Sequence, residues 1–202
     1  MKGLFITLEG IDGSGKSTLA KGLNEALLEK GIETVLTRAP GGFELGMKIR
    51  ELILHGHIAS IKTELFLFLA DRAEHVETVI KPALDAGKVV ICDRFSDSTI
   101  AYQASRGLDS HFIESLCDYA TGPIKPDLTL LIDIDPNVAF ERLEKTRHKD
   151  RIENEGLYLL KKISEAYMEL AYRHPRIKRV EGSLSKSELL IVCLDYVTKK
   201  LS

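Results

Sequence analysis

Residues Gly10-Ile11-Asp12-Gly13-Ser14-Gly15-Lys16-Ser17 fit the pattern G-x-x-x-x-G-K-[ST] at every fixed position, directly after the apolar run Leu4–Leu8. This constrains the fold more than any other stretch. Such a loop works only between a strand and a helix, where glycines let successive backbone N–H groups converge on phosphate oxygens. Lys16 supplies a positive charge for the β- and γ-phosphates, and the Ser17 hydroxyl is a ligand type for Mg²⁺. The helix that follows, with Leu19, Leu23 and Leu27 on one face, turns the positive end of its dipole to the same anion. Gly10 to Thr18 is therefore expected to bind the phosphates of ATP or a related triphosphate.

The rest of the chain supplies a matching scaffold. Short apolar runs at Leu4–Leu8, Thr34–Thr37, Lys88–Asp93, Asp127–Ile134 and Ile177–Val180 read as strands. Helical periodicity fills Ser17–Lys30, Glu44–His55, Lys62–Ala86, Ser96–Ser105, Ser110–Ala120, Gly156–Arg173 and Ser185–Leu201, and a helix from Pro136 to about Lys145. Pro82 predicts a bend in the long helix, and Ser110 reads as a cap. Strands separated by helices predict an α/β fold of the P-loop NTPase type: a five-stranded parallel sheet flanked by helices on both faces, with ligands at the C-terminal strand edge. The whole chain, 1–202, reads as a single domain.

Charge and composition exclude several classes. A net charge of -2 gives no basic field for nucleic acid, and no apolar run approaches the length needed to span a membrane. Cys92, Cys117 and Cys193 have no metal-binding spacing. A strand that begins almost at Met1 leaves no room for a signal peptide. The expectation is a cytoplasmic protein. No N-K-x-D tetrapeptide for reading guanine occurs, which disfavours a GTPase.

A second constellation runs Asp93-Arg94-Phe95-Ser96-Asp97-Ser98-Thr99-Ile100-Ala101-Tyr102-Gln103. Asp93 ends an apolar strand, where a carboxylate can hold Mg²⁺ or its waters opposite Ser17. Arg94 is placed to grip a phosphate at the same edge. Arg147, His148, Lys149 and Arg151 form a basic connection in a chain of slightly acidic balance, and phosphoryl transfer calls for such counter-charge beyond Lys16.

With the loop Glu9–Thr18, these motifs, the Thr37–Gly42 loop, Phe68-Leu69-Ala70-Asp71-Arg72, Pro126–Thr129 and Asp150–Glu153, the chain resembles the bacterial thymidylate kinases over nearly its whole length. The resemblance implies ATP- and Mg²⁺-dependent phosphorylation of dTMP to dTDP by a homodimer. It implies that Phe68 stacks on thymine, that Arg72, Thr99 and Gln103 read the base, and that Asp12 binds the 3′-hydroxyl of the deoxyribose. Arg50 and Arg94 then clamp the dTMP phosphate, with Ser98 also on the acceptor side. Tyr102 is open between sugar contact and packing. A lid at about 146–153 brings Arg151 to the transferring phosphate and Arg147 to the γ-phosphate or the adenine face, with Arg142 a further donor-side contact. The implied catalytic set is Lys16, Asp93, Arg94 and Arg151. Alternatives are a kinase for another nucleoside monophosphate, or a nucleotide-binding regulator without turnover.

The chain departs from the family pattern at Ala39 (usually Glu), Phe43 (often Thr), Phe95 (usually Tyr), Thr99 (typically Ser) and Ser164 (often Arg). None lies in the phosphate loop or at Asp93-Arg94. Activity is expected to survive, with acceptor affinity the property exposed to these changes.

Overall fold

Alternation along the first strand, β1 (Leu4–Glu9), sets up the two faces of the sheet. Leu4, Ile6 and Leu8 join one buried cluster with Leu19, Leu23 and Leu27 of α1 (Lys16–Glu29) and Leu189, Cys193 and Val197 of α9 (Lys186–Leu201). Phe5 points the other way, into a cluster with Val76, Ile80 and Phe95. Glu9 shares the parity of Phe5, so a carboxylate is carried into the interior.

The computed structural model describes residues 3–145, 152 and 156–201. The remaining strands are β2 (Thr34–Arg38), β3 (Val89–Asp93), β4 (Leu128–Asp133) and β5 (Ile177–Glu181), and the sheet is parallel in the order β2-β3-β1-β4-β5. The predicted α/β architecture is therefore present. Thr7 of β1 faces Thr129 of β4 in register, and their hydroxyls hydrogen-bond at 2.7 Å. The face away from α1 and α9 carries α2 (Glu44–His55), α3 (Ile61–His75), α5 (Ser96–Ala104), α6 (Ser110–Thr121) and α8 (Gly156–Arg173), with α4 (Lys81–Asp85) and α7 (Pro136–Glu144) between strands. Among the described residues no helix is long and apolar enough to cross a membrane.

Helix ends follow local chemistry. The N–H groups of Gly31 and Ile32 donate to the Leu28 and Leu27 carbonyls, closing α1 with a Schellman pattern. Pro136 opens α7 behind Asp135, whose carboxylate accepts the Asn137 N–H at 2.7 Å. Two expectations need correction. The cap of α6 is Asp109, which accepts the Phe112 N–H at 2.7 Å, and Ser110 is the first helical residue. The long helix is disturbed one turn before Pro82: Val76–Ile80 is a π-helical turn in which the Lys81 N–H reaches the Val76 carbonyl. Pro82 has no N–H for a carbonyl four residues back, and the widened turn takes up that missing bond ahead of the ring.

Candidate active site

The phosphate loop leaves β1 and enters α1 at the C-terminal edge of the sheet. No side chain caps α1, so its first N–H groups are open to an anion. Gly13 has φ +80°, and a Cβ there would lie 2.5 Å from the Ala139 carbonyl oxygen. That position needs glycine both for its conformation and for the close approach of α7. Lys16 is buried, and its Nζ donates to the Ile11 carbonyl at 2.8 Å and lies 3.4 Å from Ser14 Oγ. Burial and the nearby Arg94 charge lower the Lys16 pKa to about 8, despite Asp12, Asp93 and Glu9.

Across the loop, Asp93 ends β3 and accepts a hydrogen bond from the Ser17 hydroxyl through Oδ2. Its buried Oδ1 has no hydrogen-bond partner among the described residues. The next residue, Arg94, sits at φ +69°, a region that a non-glycine residue enters only when its surroundings hold it there. Two bonds do so: its N–H donates to the Leu8 carbonyl at 3.0 Å, and the Phe95 N–H donates to Glu9 Oε1 at 2.7 Å.

The Arg94 guanidinium is the hub of the site. It donates to Asp12 Oδ1 (2.5 Å), the Tyr102 hydroxyl (2.9 Å), Ser98 Oγ (2.9 Å), the Gly10 carbonyl (3.1 Å) and the Tyr167 hydroxyl (3.2 Å). Tyr102 also donates to Asp12 Oδ2 at 2.6 Å. Burial alone would raise Asp12, but Arg94, Lys16 and the Tyr102 hydroxyl outweigh it and hold the carboxyl at about 2. Burial likewise opposes the charge on Arg94, and Asp12 foremost holds its pKa well above the usual range. Beneath them lies Glu9, which accepts from Ser98 Oγ at 2.5 Å and Tyr167 at 3.0 Å. Burial and the Asp97 charge raise Glu9 to about 7, against the pull of Ser98, Arg94 and the Phe95 N–H.

Asp12 and Arg94 form one wall of a cleft completed by Arg50, Phe68, Arg72, Ser98, Thr99 and Tyr102, together with Ala39, Pro40, Leu54 and Ile152. Arg72 is 2% exposed and donates from NH2 to Thr99 Oγ1 at 3.2 Å, while its Nε and NH1 have no partner among the described residues. Its guanidinium rests 4.2 Å over the Phe95 ring, which is edge-on to Phe5. Phenylalanine at 95 thus serves as an apolar support under a cation.

A second, larger cavity lies on the far side of the loop, between Gly13, Ser14, Gly15 and Thr18 and the chain after β5, with Gly182 and Leu184 of the β5–α9 connection and Lys186 and Leu190 of α9. Arg142 lines it and donates to the Gly13 carbonyl at 3.2 Å.

The structure thus brings Asp12, Arg50, Phe68, Arg72, Arg94, Ser98, Thr99 and Tyr102 together around one cleft, and Gly13, Ser14, Gly15, Thr18 and Arg142 around the other; Ser17 and Asp93 face a separate hollow, and Gly10, Ile11 and Lys16 line neither of the two. Gln103 stands apart. It is fully buried, its Nε2 donates to Glu64 Oε1 at 2.7 Å, and it does not line the cleft. Arg147 and Arg151 lie outside the described residues. Sequence reasoning missed Glu9 as a site residue, although the strand's period of two carries it inward. It also missed the β5–α9 connection, which the rule that ligands sit beyond the carboxyl ends of strands would have flagged.

The thymidylate kinase family model matches residues 8–190. The chain is 43% identical to a thymidylate kinase of Protochlamydia amoebophila, covering all of this chain and 95% of that protein. It is 49% identical to that of Clavibacter sepedonicus over 87% of this chain and 84% of the relative, and 44% identical to that of Fervidobacterium nodosum over 92% and 94%. Matches of this extent span the phosphate loop, the Arg94 hub and both cavities, and the chain belongs to the thymidylate kinase family.

Proposed function

We propose that the two cavities are the acceptor and donor halves of one site that transfers the γ-phosphoryl group of ATP to dTMP, giving dTDP and ADP. The observation that carries this reading is the Arg94–Asp12 contact, which joins the phosphate loop to the cleft lined by Phe68 and Arg72. In the acceptor half Phe68 stacks on thymine, and Nε and NH1 of Arg72, which have no partner among the described residues, donate to the base, with Thr99 fixing that guanidinium. Asp12, held ionised, accepts from the 3′-hydroxyl. Arg94 and Arg50 grip the acceptor phosphate, with Ser98 and Tyr102 orienting Arg94.

In the donor half the loop N–H groups and Lys16 hold the triphosphate, and Arg142 extends the binding surface. The Ser17 hydroxyl and the Asp93 carboxylate, whose Oδ1 lacks a partner among the described residues, are hard oxygen donors that fit Mg²⁺. Bound Mg²⁺ would neutralise charge on the β- and γ-phosphates. A dTMP phosphate oxygen attacks the γ-phosphorus in line, its bond forms as the bond to the β-bridging oxygen breaks, and ADP leaves. The attacking phosphate is already an anion, so no protein base is needed, and catalysis rests on alignment and counter-charge. Arg151 and Arg147 are proposed to add positive charge at the transferring group.

The active form is proposed to be a homodimer in the cytoplasm. Leu45, Met47 and Leu52 on α2, Phe66 on α3 and Phe112 on α6 are exposed large apolar residues on three helices packed in sequence, a face suited to a second copy. A monomeric mass in sedimentation at micromolar concentration would remove that element. The reaction itself is tested by coupled ADP release over dTMP, dUMP, dCMP, dGMP and dAMP, with Mg²⁺ omitted as a control. Fast turnover confined to dTMP, or to dTMP and dUMP, is expected; comparable rates with dCMP would overturn the acceptor assignment.

A further inference from the structure

The C-terminal half of α3 meets both the acceptor cleft and the segment beside it. Phe68 and Arg72 face the cleft itself. Asp71 and His75, which the reaction scheme above does not use, turn instead to the segment 37–43. Asp71 Oδ1 accepts the Gly41 N–H at 3.0 Å. His75 Nε2 lies 2.7 Å from Thr37 Oγ1, and its ring is stacked on Phe43 with centroids 5.6 Å apart and planes 16° apart. Neither side chain is more than 1% exposed.

The fit leaves no slack. A Cβ at Gly42 would lie 2.7 Å from His75 Nε2, and one at Gly46 would lie 2.7 Å from Asp71 Oδ1. What this segment holds in turn is Arg50. Arg50 NH1 donates to the Pro40 carbonyl at 3.1 Å, and its aliphatic stem runs against Gly41, where a Cβ would sit 2.8 Å from Arg50 Cδ. A continuous path therefore leads from the helix under the base, through Asp71 and His75, to the arginine at the phosphate end.

Burial of these two groups is expensive, which argues that packing alone does not account for them. Burial pushes Asp71 up to about 6 and His75 down to about 3, so the imidazole is neutral and acts by hydrogen bonding and stacking. An apolar pair would fill the same space without that desolvation.

We infer that Asp71 and His75 are positioning residues that hold the 37–43 segment so that Arg50 meets the acceptor phosphate, making preference for a phosphorylated nucleoside depend on them. This rests on the proposed placement of the acceptor phosphate at Arg50.

The test is calorimetric binding of dTMP and thymidine to the full-length protein, because thymidine lacks the group that Arg50 would hold. Wild type should bind dTMP more tightly, and Arg50→Ala should narrow that ratio. Asp71→Ala and His75→Ala should each weaken dTMP about tenfold, the worth of roughly one well-placed hydrogen bond, while leaving thymidine within about twofold. Asp71→Asn keeps an acceptor for the Gly41 N–H and should restore dTMP affinity. Equal weakening of both ligands, as from a merely damaged fold, or unchanged dTMP binding would overturn the inference. An unchanged ratio in Arg50→Ala would instead overturn the placement of the phosphate.

Discussion

Arg94 and Asp12 meet at 2.5 Å, joining the residue that follows β3 to the middle of the phosphate loop. The pair has the same guanidinium serving Tyr102, Ser98, Tyr167 and the Gly10 carbonyl, so donor loop and acceptor cleft are fixed to each other before any ligand arrives. Such preorganisation matters because a phosphoryl transfer enzyme works mainly by alignment and by charge placed in advance.

Replacing Arg94 should therefore strike turnover. Arg94→Ala is expected to lower kcat by about 10²–10³, the scale of removing a preorganised charge, with ATP affinity changed far less because Lys16 and the loop N–H groups remain. Arg94→Lys should rescue little, since an ammonium cannot span five acceptors in a planar fork. Steady-state kinetics with an independent ATP titration checks both; turnover near wild type in Arg94→Ala would show the hub is misassigned.

Arg72 makes a contrasting case, since its proposed role is in recognition. It is buried with two nitrogens unpartnered among the described residues, which a base carbonyl would satisfy. Arg72→Gln should raise the KM for dTMP by about tenfold to a hundredfold, the worth of a lost charged hydrogen bond, with a smaller change in kcat. Equal losses in kcat and kcat/KM would place Arg72 in the transfer step instead.

How far such roles could be read from sequence depended on whether a residue's neighbours were local. The phosphate loop, the strands and the one-turn spacing of Phe68 and Arg72 are short-range patterns, and their elements appear where periodicity put them. Glu9 was quoted as part of a motif but given no task, because its partners Phe95, Ser98 and Tyr167 come from β3's end, α5 and α8. Gln103 looked equivalent to Thr99 one turn away. Only the packing of α3 on α5 turns it to Glu64 rather than to the cleft. Asp71 and His75 were illegible for the same reason, since nothing local to α3 announces Gly41, Thr37 or Phe43.

Gly13 offers a test of the loop alone. Gly13→Ala would bring a Cβ to 2.5 Å from the Ala139 carbonyl oxygen at a backbone φ of +80°. The left-handed conformation alone costs about 1–2 kcal/mol for a residue with a Cβ, and backbone on both sides of the clash leaves no flexible group to yield. The variant should lose most ATP affinity and a few degrees of Tm while retaining thymidine binding, since the cleft proposed for thymidine does not include Gly13. Unchanged ATP binding would show that the loop can open away from α7.

Glu9 leads to a prediction in pH. Its carboxyl is raised from an ordinary 4.5 to about 7, foremost by burial and then by Asp97, so folding favours the protonated form. The stability this contributes is fully present below about pH 4.5 and is lost as pH rises through about 7. Glu9→Gln fixes a neutral group that still offers an oxygen to the Phe95 N–H, and the Ser98 and Tyr167 hydroxyls can turn to accept from its amide. Urea unfolding at pH 5 and pH 7.5 should therefore show wild type losing stability relative to the variant across the interval. Asp71, raised to about 6, titrates in the same window but is common to both proteins, so it cancels in the comparison. Parallel pH dependence in the two proteins would mean that Glu9 is ionised throughout, held so by Arg94 through Ser98.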